Sequence, residues 1–309
     1  MSMRLVAIGG GHGLAQTLRA ARQVTDDVTA LVSMADDGGS SGKLRREFDV
    51  PPPGDVRMAL LALADESQSL RTQLWAHRFD GDGALSGHSL GNLLLTALWQ
   101  RAQGDDSAIV EGIAAAADLL GACGVVLPIS TAAHHLVADV LDSDGRPGTL
   151  HGQATVASSG LRITGVRTDP AGVPVCPAAA AAIAAADIVV LGPGSWFTSV
   201  LAPLAVTGVC EAINASRAEV VLVVNLRPQP GETEGFSTAD YVRAFTDSHP
   251  HLRVDAIVVD SSADSPALRE QALTHSARLV SATLDPAGSG AHDPAALAAV
   301  LASLKIHPR

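Results

Sequence analysis

Short apolar runs recur along the chain, and most of them precede a segment in which apolar residues repeat at helical spacing. The first run is Arg4–Ile8, which is followed by a helical pattern over Leu14–Arg22. Buried strands that alternate with amphipathic helices are typical of an α/β fold with a parallel sheet. The later runs predict strands at Val28–Met34, Val125–Ser130, Asp187–Leu191, Val220–Asn225, Val254–Asp260 and Arg278–Leu284, and a closing helix at Pro294–Leu304.

The pattern changes between His134 and Thr168, where apolar and polar residues alternate around DSDG and around Ser158–Gly160. This alternation predicts a meander of antiparallel strands. For His134 and His135 a position in the sheet is favoured over a metal site, because no further ligand lies at a suitable spacing. No internal repeat or linker is present, so we expect one α/β domain over residues 1–309 with an antiparallel insertion at about 134–168.

A glycine-rich turn, GGGHG at Gly9–Gly13, joins the first strand to the first helix. Such a turn directs backbone N–H groups and the positive end of the helix at a phosphate. Gly9, Gly11 and Leu14 match the dinucleotide fingerprint G-x-G-x-x-G except at its last glycine. A tight turn needed only for packing is the alternative. His12 either donates a hydrogen bond to a phosphate or is simply exposed.

The run ADDGGSSGKLRR at Ala35–Arg46 follows the second strand. In a βαβ unit the acid that contacts a ribose lies about 20 residues after the glycine turn. We therefore expect Asp36 and Asp37 to contact a ribose, a metal ion or a transferred group. Glycines let backbone N–H groups approach a ligand, and Ser40 and Ser41 add short donors. A solvated loop that merely turns the chain is the alternative.

Two further polar clusters lie at predicted helix starts. Asp55, after PPPG, is expected to cap an apolar helix, and Arg57 is interpreted as a surface residue with an anionic partner as the alternative. Ser89, within GHSLGN, is expected to cap the next helix. Asn92 is polar in an otherwise apolar first turn, so we expect it to hydrogen-bond a specific partner. Capping does not explain His88.

A second glycine turn, GPGS at Gly192–Ser195, again lies between a strand and a helix start, where Ser195 or Thr198 is expected to be the cap. Two such turns favour a ligand with two polar ends, or a phosphate held from both sides. Trp196 and Phe197 are expected to pack in the core.

The last polar loop follows the strand Val220–Asn225, at the strand end where open α/β sheets bind ligands. Ser237 and Asp240 are expected to form a capping box for the next helix. The polar residues of the loop are Asn225, Gln229, Gly231, Glu232 and Thr233.

The formal net charge of −11 argues against non-specific binding to nucleic acid or to an anionic membrane surface. No apolar stretch is long enough for a membrane helix, and the N-terminus lacks a signal pattern. Cys123, Cys176 and Cys210 lie in apolar surroundings, without disulfide or metal spacing. We therefore expect buried thiols in a cytoplasmic protein.

The chain resembles the YvcK-like, or gluconeogenesis factor, family through six motifs that occur in the family order over nearly its whole length. This family is related to CofD, the transferase that moves phospholactate onto a deazaflavin precursor. The resemblance implies a Rossmann-like three-layer α/β fold with a mostly parallel sheet, and a homodimer. It also implies a strand-end site for a nucleotide sugar of the UDP-N-acetylglucosamine type. The motifs are GGGHGL, VSMADDGGSSGKLR, PPPGDVR, GHSLGNLLL, DIVVLGPGSWFTS and VNLRPQPGETEGFSTADYV.

The resemblance also indicates which residues contact the ligand. His12 and Arg227 depart from the commoner family pattern, and Arg227 adds a positive charge near the expected pocket. The expected ligand-binding residues are Gly10, Gly11, His12, Gly13, Asp36, Asp37, Ser40, Ser41, His88, Asn92, Gly194, Ser195, Asn225 and Arg227.

Two functions remain open. The first is a UDP-sugar-binding regulator, without a required cofactor, that links carbon metabolism to cell-wall synthesis and cell shape through partner proteins of that pathway. The sequence shows no clear pair of nucleophile and base, which favours this function. The second is a CofD-like transferase in which Asp36 and Asp37 hold Mg²⁺, or one of them deprotonates an attacking hydroxyl.

Overall fold

The computed structural model describes residues 2–64, 69–102 and 107–304. The strands are β1 (Arg4–Gly9), β2 (Asp27–Val32), β3 (Val125–Pro128), β4 (His135–Leu141), β5 (Pro147–His151), β6 (Arg162–Asp169), β7 (Ile188–Leu191), β8 (Glu219–Val223), β9 (Ala256–Asp260) and β10 (Arg278–Ala282). The α-helices are α1 (Gly11–Ala21), α2 (Gly39–Phe48), α3 (Pro53–Leu63), α4 (Leu70–Ala76), α5 (Leu90–Arg101), α6 (Ser107–Leu120), α7 (Gln153–Ala157), α8 (Pro177–Ala185), α9 (Val209–Ala215), α10 (Thr238–Ser248), α11 (Pro266–Thr274) and α12 (Pro294–Ser303).

Seven strands form one parallel sheet in the order β10-β9-β8-β7-β1-β2-β3. Alternate side chains of β1 enter different core clusters, with Leu5 and Ala7 on one face and Val6 and Ile8 on the other. Helices α1, α3, α5, α6 and α12 cover the first face, and α8, α9, α10 and α11 cover the second. The expected three-layer, Rossmann-like α/β fold is confirmed.

The expected antiparallel insertion is also confirmed. Strands β4, β5 and β6 form a three-stranded antiparallel sheet in the order β5-β4-β6, and α7 lies between β5 and β6. Ala138, Val140 and Ile163 join the core cluster on the second face, so the insertion packs on the main sheet. His135 begins β4, as the sheet interpretation expected. That residues 1–309 form a single domain stays a prediction.

The predicted caps of two helices are confirmed. Ser89 accepts a hydrogen bond from the backbone N–H of Asn92, and Ser237 and Asp240 form the capping box of α10. The cap assigned to Asp55 is wrong. Because Pro53 can occupy the first position of a helix, α3 begins there, and Asp55 lies inside the first turn.

The interpretation of the cysteines is wrong for one of the three. Cys176 is buried and Cys210 is partly buried, but Cys123 is exposed in the turn between α6 and β3. Within the described residues no helix has both the length and the apolar character needed to cross a membrane.

Candidate functional site

The order of the parallel strands places a crevice between β1 and β7. From β1 the chain continues to β2 and β3 on one side, whereas β7 to β10 extend the sheet on the other side. Ligands of open α/β sheets bind at this kind of reversal, beyond the carboxyl ends of the strands. Both glycine turns begin there, since one follows β1 and the other follows β7.

The two glycine turns are in direct contact. A Cβ atom added to Gly13 would lie 2.1 Å from the Pro193 carbonyl oxygen and 2.6 Å from the Gly194 Cα atom. The buried hydroxyl of Thr17 donates to the Gly192 carbonyl oxygen at 3.1 Å and fastens α1 to the second turn. Glycine at position 13 is therefore required because another backbone segment occupies the space of a side chain.

Helix α1 presents an uncapped N-terminus to this crevice. Gly10 is the N-cap and makes no side-chain capping bond, and Gly11 has a positive φ of 58° that favours glycine. His12 is exposed in the first turn of α1. Backbone N–H groups at a helix start without a side-chain cap on its N-cap residue suit a phosphate, as the sequence predicts.

Asp55 closes one side of the first turn. Its carboxylate accepts a backbone hydrogen bond from Gly11, and a Cβ atom on Gly10 would lie 2.3 Å from its Oδ2 atom. Burial, reinforced by the charge of Asp36, raises the pKa of Asp55 to about 7. The residue that the sequence assigned to capping is therefore a titratable group beside the turn where a phosphate is expected.

The paired aspartates of the ADDGGSSG run point to different parts of the molecule. Asp36 accepts the backbone N–H of Gly38 at 2.9 Å, and its Oδ2 atom would lie 3.0 Å from a Cβ atom on Gly54, in the first turn of α3. Asp37 accepts the backbone N–H of Ala154 at 2.8 Å and so ties this loop to the insertion. Asp36 therefore belongs to the crevice, whereas one carboxylate oxygen of Asp37 is already bonded to α7.

The two serines of this run also differ. Ser41 is buried and accepts the backbone N–H of Gly54 at 3.0 Å, which joins α2 to α3. The Oγ atom of Ser40 lies 2.9 Å from Nδ1 of His88 and accepts a hydrogen bond from Nδ2 of Asn92 at 3.0 Å. Ser40, His88 and Asn92 are therefore brought together, as their assignment to one site requires.

Arg57 completes this group. Its Nε atom donates to Oδ1 of Asn92 at 2.9 Å, which is the specific partner expected for that asparagine. Burial, followed by the charge of Arg78, lowers the pKa of Arg57. The interpretation of Arg57 as a surface residue is wrong, because its guanidinium is packed between α3 and α5 and orients the Asn92 amide.

Arg45 was missed by the sequence reasoning. Its Nη2 atom donates to the His134 carbonyl oxygen, and its buried Nη1 atom has no hydrogen-bond partner among the described residues. Burial lowers the pKa of Arg45, while the charges of Asp37 and Asp36 act in the opposite direction. Arg45 thus places a positive charge beneath the paired aspartates. Arginine in the last turn of a helix otherwise indicates only a favourable helix dipole.

Asn225 brackets the second glycine turn. Its Oδ1 atom accepts the Gly194 backbone N–H at 3.0 Å, and its Nδ2 atom donates to the Gly194 carbonyl oxygen at 2.7 Å. Gly194 has a positive φ of 147°. Asn225 therefore fixes the shape of the turn in the present structure, and its expected contact with a ligand stays a prediction.

Glu232 is the central residue of the last polar loop. It is 6% exposed, and its Oε1 atom accepts the backbone N–H groups of Phe197 at 2.8 Å and Thr198 at 2.9 Å. Its Oε2 atom accepts the hydroxyl of Ser195. The capping roles assigned to Ser195 and Thr198 are therefore wrong. The Trp196–Leu201 segment is a π-helix, and this carboxylate accepts its second and third N–H groups instead.

We expect Glu232→Ala to lower the free energy of unfolding by about 2–4 kcal/mol, because two buried N–H groups and the partly buried Ser195 hydroxyl lose their acceptor at once. Urea unfolding monitored by circular dichroism measures this change. Glu234→Ala is the matched control, since Glu234 is exposed and accepts only the Gly231 backbone N–H at 3.1 Å. Equal losses in the two variants would contradict the role of Glu232.

Trp196 and Phe197 are fully buried, which confirms the core interpretation. Phe197 and Glu232 also line a cavity of about 630 Å³ between β6 and α10. No residue of the first glycine turn or of the ADDGGSSG run lines this cavity, so it is separate from the crevice.

Arg227 lies apart from the other expected site residues. Its side chain is 61% exposed, pairs with Asp285 at 3.7 Å and donates to the Gly288 carbonyl oxygen at 3.2 Å. The structure shows no contact between Arg227 and either glycine turn. Its contribution to ligand binding stays a prediction.

Among residues 2–64, 69–102 and 107–304, no group of three or more His, Cys, Asp or Glu side chains is placed to hold a metal ion. This includes His134 and His135, for which the sequence favoured a position in the sheet. That position is confirmed for His135 and wrong for His134, which lies immediately before β4. His134 is buried, and its Nδ1 atom lies 2.9 Å from the Ala132 carbonyl oxygen.

Known proteins resemble this chain over most of its length. Residues 5–291 match the family model described as 2-phospho-L-lactate transferase CofD. A putative gluconeogenesis factor from Mycobacterium tuberculosis is 44% identical over 316 residues, covering 97% of this chain and 90% of the relative. A gluconeogenesis factor from Halalkalibacterium halodurans is 41% identical over 256 residues, covering 82% of this chain and 76% of the relative.

The fold is also similar to that of a solved structure. A crystal structure of a member of the UPF0052 family from Bacillus halodurans superposes with a TM-score of 0.85 at 33% sequence identity, covering 97% of this chain and 99% of that one. The chain therefore belongs to the gluconeogenesis factor, or YvcK-like, family of CofD-related proteins.

Proposed function

We propose that this protein is a regulator that binds a nucleotide sugar of the UDP-N-acetylglucosamine type at the crevice between β1 and β7. The observation that carries the proposal is the contact between the two glycine turns, Gly9–Gly13 and Gly192–Ser195. Together they place backbone N–H groups and a helix start around one position, which suits a diphosphate. The nucleoside and the sugar then extend to opposite sides.

The regulatory part of the proposal rests on the family. Relatives over most of this chain are named gluconeogenesis factors, which connects the fold to carbon metabolism. We extend this role to cell-wall synthesis and cell shape, because the proposed ligand is of the type from which wall polymers are made. The protein then acts as a cytoplasmic homodimer on partner proteins of that pathway and requires no cofactor.

Isothermal titration with UDP-N-acetylglucosamine tests the proposal. We expect saturable binding to the wild-type protein, and the absence of binding at millimolar ligand would overturn it. Asn225→Ala should weaken binding at least about tenfold, since the Gly194 turn loses both hydrogen bonds that shape it.

Asn214→Ala is the matched control for Asn225→Ala. Asn214 also bonds backbone through both ends of its amide, to the His251 carbonyl oxygen at 2.9 Å and the Arg253 N–H at 2.8 Å. It lies at the end of α9, away from the glycine turns. Normal binding by this variant would show that the loss in Asn225→Ala does not reflect general destabilisation.

A CofD-like transferase is the second candidate, and the match of residues 5–291 to the CofD family model favours it. Mg²⁺ is commonly held by one or two carboxylates together with substrate phosphates. Asp36 and Asp55 fit that arrangement, because the charge of Asp36 acts on Asp55 beside the first glycine turn. Asp37 fits less well, since its Oδ1 atom is already bonded to Ala154. Bound Mg²⁺ would neutralise charge on the phosphates.

Incubation with the deazaflavin precursor, an activated phospholactate donor and Mg²⁺ tests the transferase. An unchanged chromatogram would reject it. Replacing both Asp36 and Asp37 with asparagine should weaken nucleotide-sugar binding or remove any Mg²⁺ dependence without unfolding the chain. Normal ligand binding by the double variant would show that the two carboxylates do not contribute.

A further inference from the structure

Ser40 and His88 form a pair that the sequence did not reveal. The Oγ atom of Ser40 lies 2.9 Å from Nδ1 of His88, although 48 positions separate the two residues along the chain. A hydroxyl within hydrogen-bond reach of an imidazole nitrogen is the arrangement of an activated nucleophile and its base. The structure therefore brings together a serine and a histidine that the sequence did not pair.

The neighbours of Ser40 determine which hydrogen bond its hydroxyl donates. Because Oδ1 of Asn92 accepts from Arg57, the Asn92 amide is oriented with its Nδ2 atom toward Ser40. Ser40 accepts that N–H, so its own proton remains available for the lone pair on Nδ1 of His88. Asn92 and Arg57 thus act as positioning residues, which orient the Ser40 hydroxyl and do not contact His88.

The exposure of the three side chains separates this group from an ordinary core network. His88 is 5% exposed and Asn92 is 2% exposed, whereas Ser40 is only partly buried at the second position of α2. Ser41, the next residue, is buried and its hydroxyl is occupied by Gly54. Of these two serines, Ser40 is the one with a partly exposed hydroxyl next to a buried histidine.

We propose that Ser40 is a nucleophile that accepts a phosphoryl group from a phosphate ester or diphosphate, with His88 as its general base. The Oγ–P bond forms as the bond between phosphorus and the departing oxygen breaks. The hydroxyl proton passes to Nδ1 of His88 and then to the departing oxygen. The N-terminal end of α2 stabilises the negative charge that develops beside Ser40.

The surroundings of His88 suit a base. Burial is the first cause that lowers its pKa, followed by the charge of Lys43, and Arg78 acts in the same direction while Glu47 opposes it. His88 is therefore neutral at pH 7 and can accept a proton. The reaction of Ser40 should keep its full rate at neutral pH and slow only as the pH falls below the ordinary histidine range.

Labelling with an alkyl fluorophosphonate tests the proposal on the protein without ligand, so the result does not depend on nucleotide-sugar binding. The Ser40 oxygen displaces fluoride from phosphorus, and peptide mass spectrometry locates the adduct. We expect the adduct on Ser40, none in Ser40→Ala, and a rate at least about 100-fold lower in His88→Gln. Circular dichroism and thermal unfolding verify that both variants fold.

Ser265 provides the matched control. It lies at the start of α11 and accepts the Leu268 backbone N–H at 3.3 Å, but the structure shows no histidine bonded to it. Ser265→Ala should label at the wild-type rate. Three results would each overturn the proposal. These are labelling spread over several serines, an equal labelling rate in folded His88→Gln, and a labelling rate that does not fall when the pH is lowered enough to protonate His88.

Discussion

Gly13→Ala should greatly weaken the binding of UDP-N-acetylglucosamine and destabilise the protein. The new methyl group would lie 2.1 Å from the Pro193 carbonyl oxygen, and this atom belongs to backbone that cannot rotate away. Although alanine favours a helix by about 1 kcal/mol over glycine, overpacking costs about 1–3 kcal/mol and separates the two turns. Isothermal titration should show affinity lowered at least about tenfold.

Gly83→Ala is the control for this substitution. A Cβ atom on Gly83 meets nothing within 4 Å, and its φ is not in the left-handed region. Its melting temperature and affinity should equal those of the wild type. If Gly13→Ala also bound the nucleotide sugar normally, the contact between the two glycine turns would not form the ligand site.

The contact at Gly13 shows what the sequence can and cannot predict. Periodicity predicts the strands on either side of each glycine turn, because a buried parallel strand is apolar on both faces. It also places both turns at the carboxyl edge of one sheet. It cannot predict that Gly13 touches Pro193, since this contact depends on how closely α1 approaches the second turn.

Long-range hydrogen bonds explain the errors of the sequence analysis. Ser195 follows a strand and precedes a helix, which is the usual pattern of a cap, but its hydroxyl donates to Glu232, 37 positions later. Ser40 and His88 are likewise joined only through packing of α2 against α5. Local patterns predict bonds within a few residues, whereas these bonds exist because separate loops converge at one sheet edge.

Asp55 is the second case in which three-dimensional neighbours change the role of a residue. In sequence it is an acid near a helix start, where a cap or a dipole contact is expected. In the structure, burial and the charge of Asp36 raise its pKa to about 7. The carboxyl group therefore titrates near neutral pH in the middle of the proposed diphosphate site.

The contribution of Asp55 to the stability of the protein should be lost as the pH rises from about 4 to 7. A carboxyl group whose folded pKa is raised binds its proton more tightly in the folded state, so its contribution is complete below the unfolded pKa and is lost above the folded pKa. For Asp55 the loss between pH 4 and pH 8 amounts to about 2–4 kcal/mol. Urea unfolding across this pH range measures it.

Asp55→Asn isolates this contribution. The asparagine oxygen still accepts the Gly11 N–H but carries no charge, so the variant should be more stable than the wild type at pH 8 and lose that advantage at pH 4. Asp82→Asn changes the net charge equally at an exposed position and should show no such pH-dependent difference. A constant difference for Asp55→Asn would contradict the raised pKa.

Ligand affinity should follow the same titration. A diphosphate beside an ionised Asp55 is repelled, so binding to the wild type favours the protonated carboxyl group and takes up a proton. Affinity without metal should therefore weaken by up to about tenfold for each pH unit above 7, and Asp55→Asn should remove this dependence. If affinity instead rose with pH only when Mg²⁺ was present, the ionised carboxylates would be metal ligands. The CofD-like transferase would then describe the site better than a metal-free regulator.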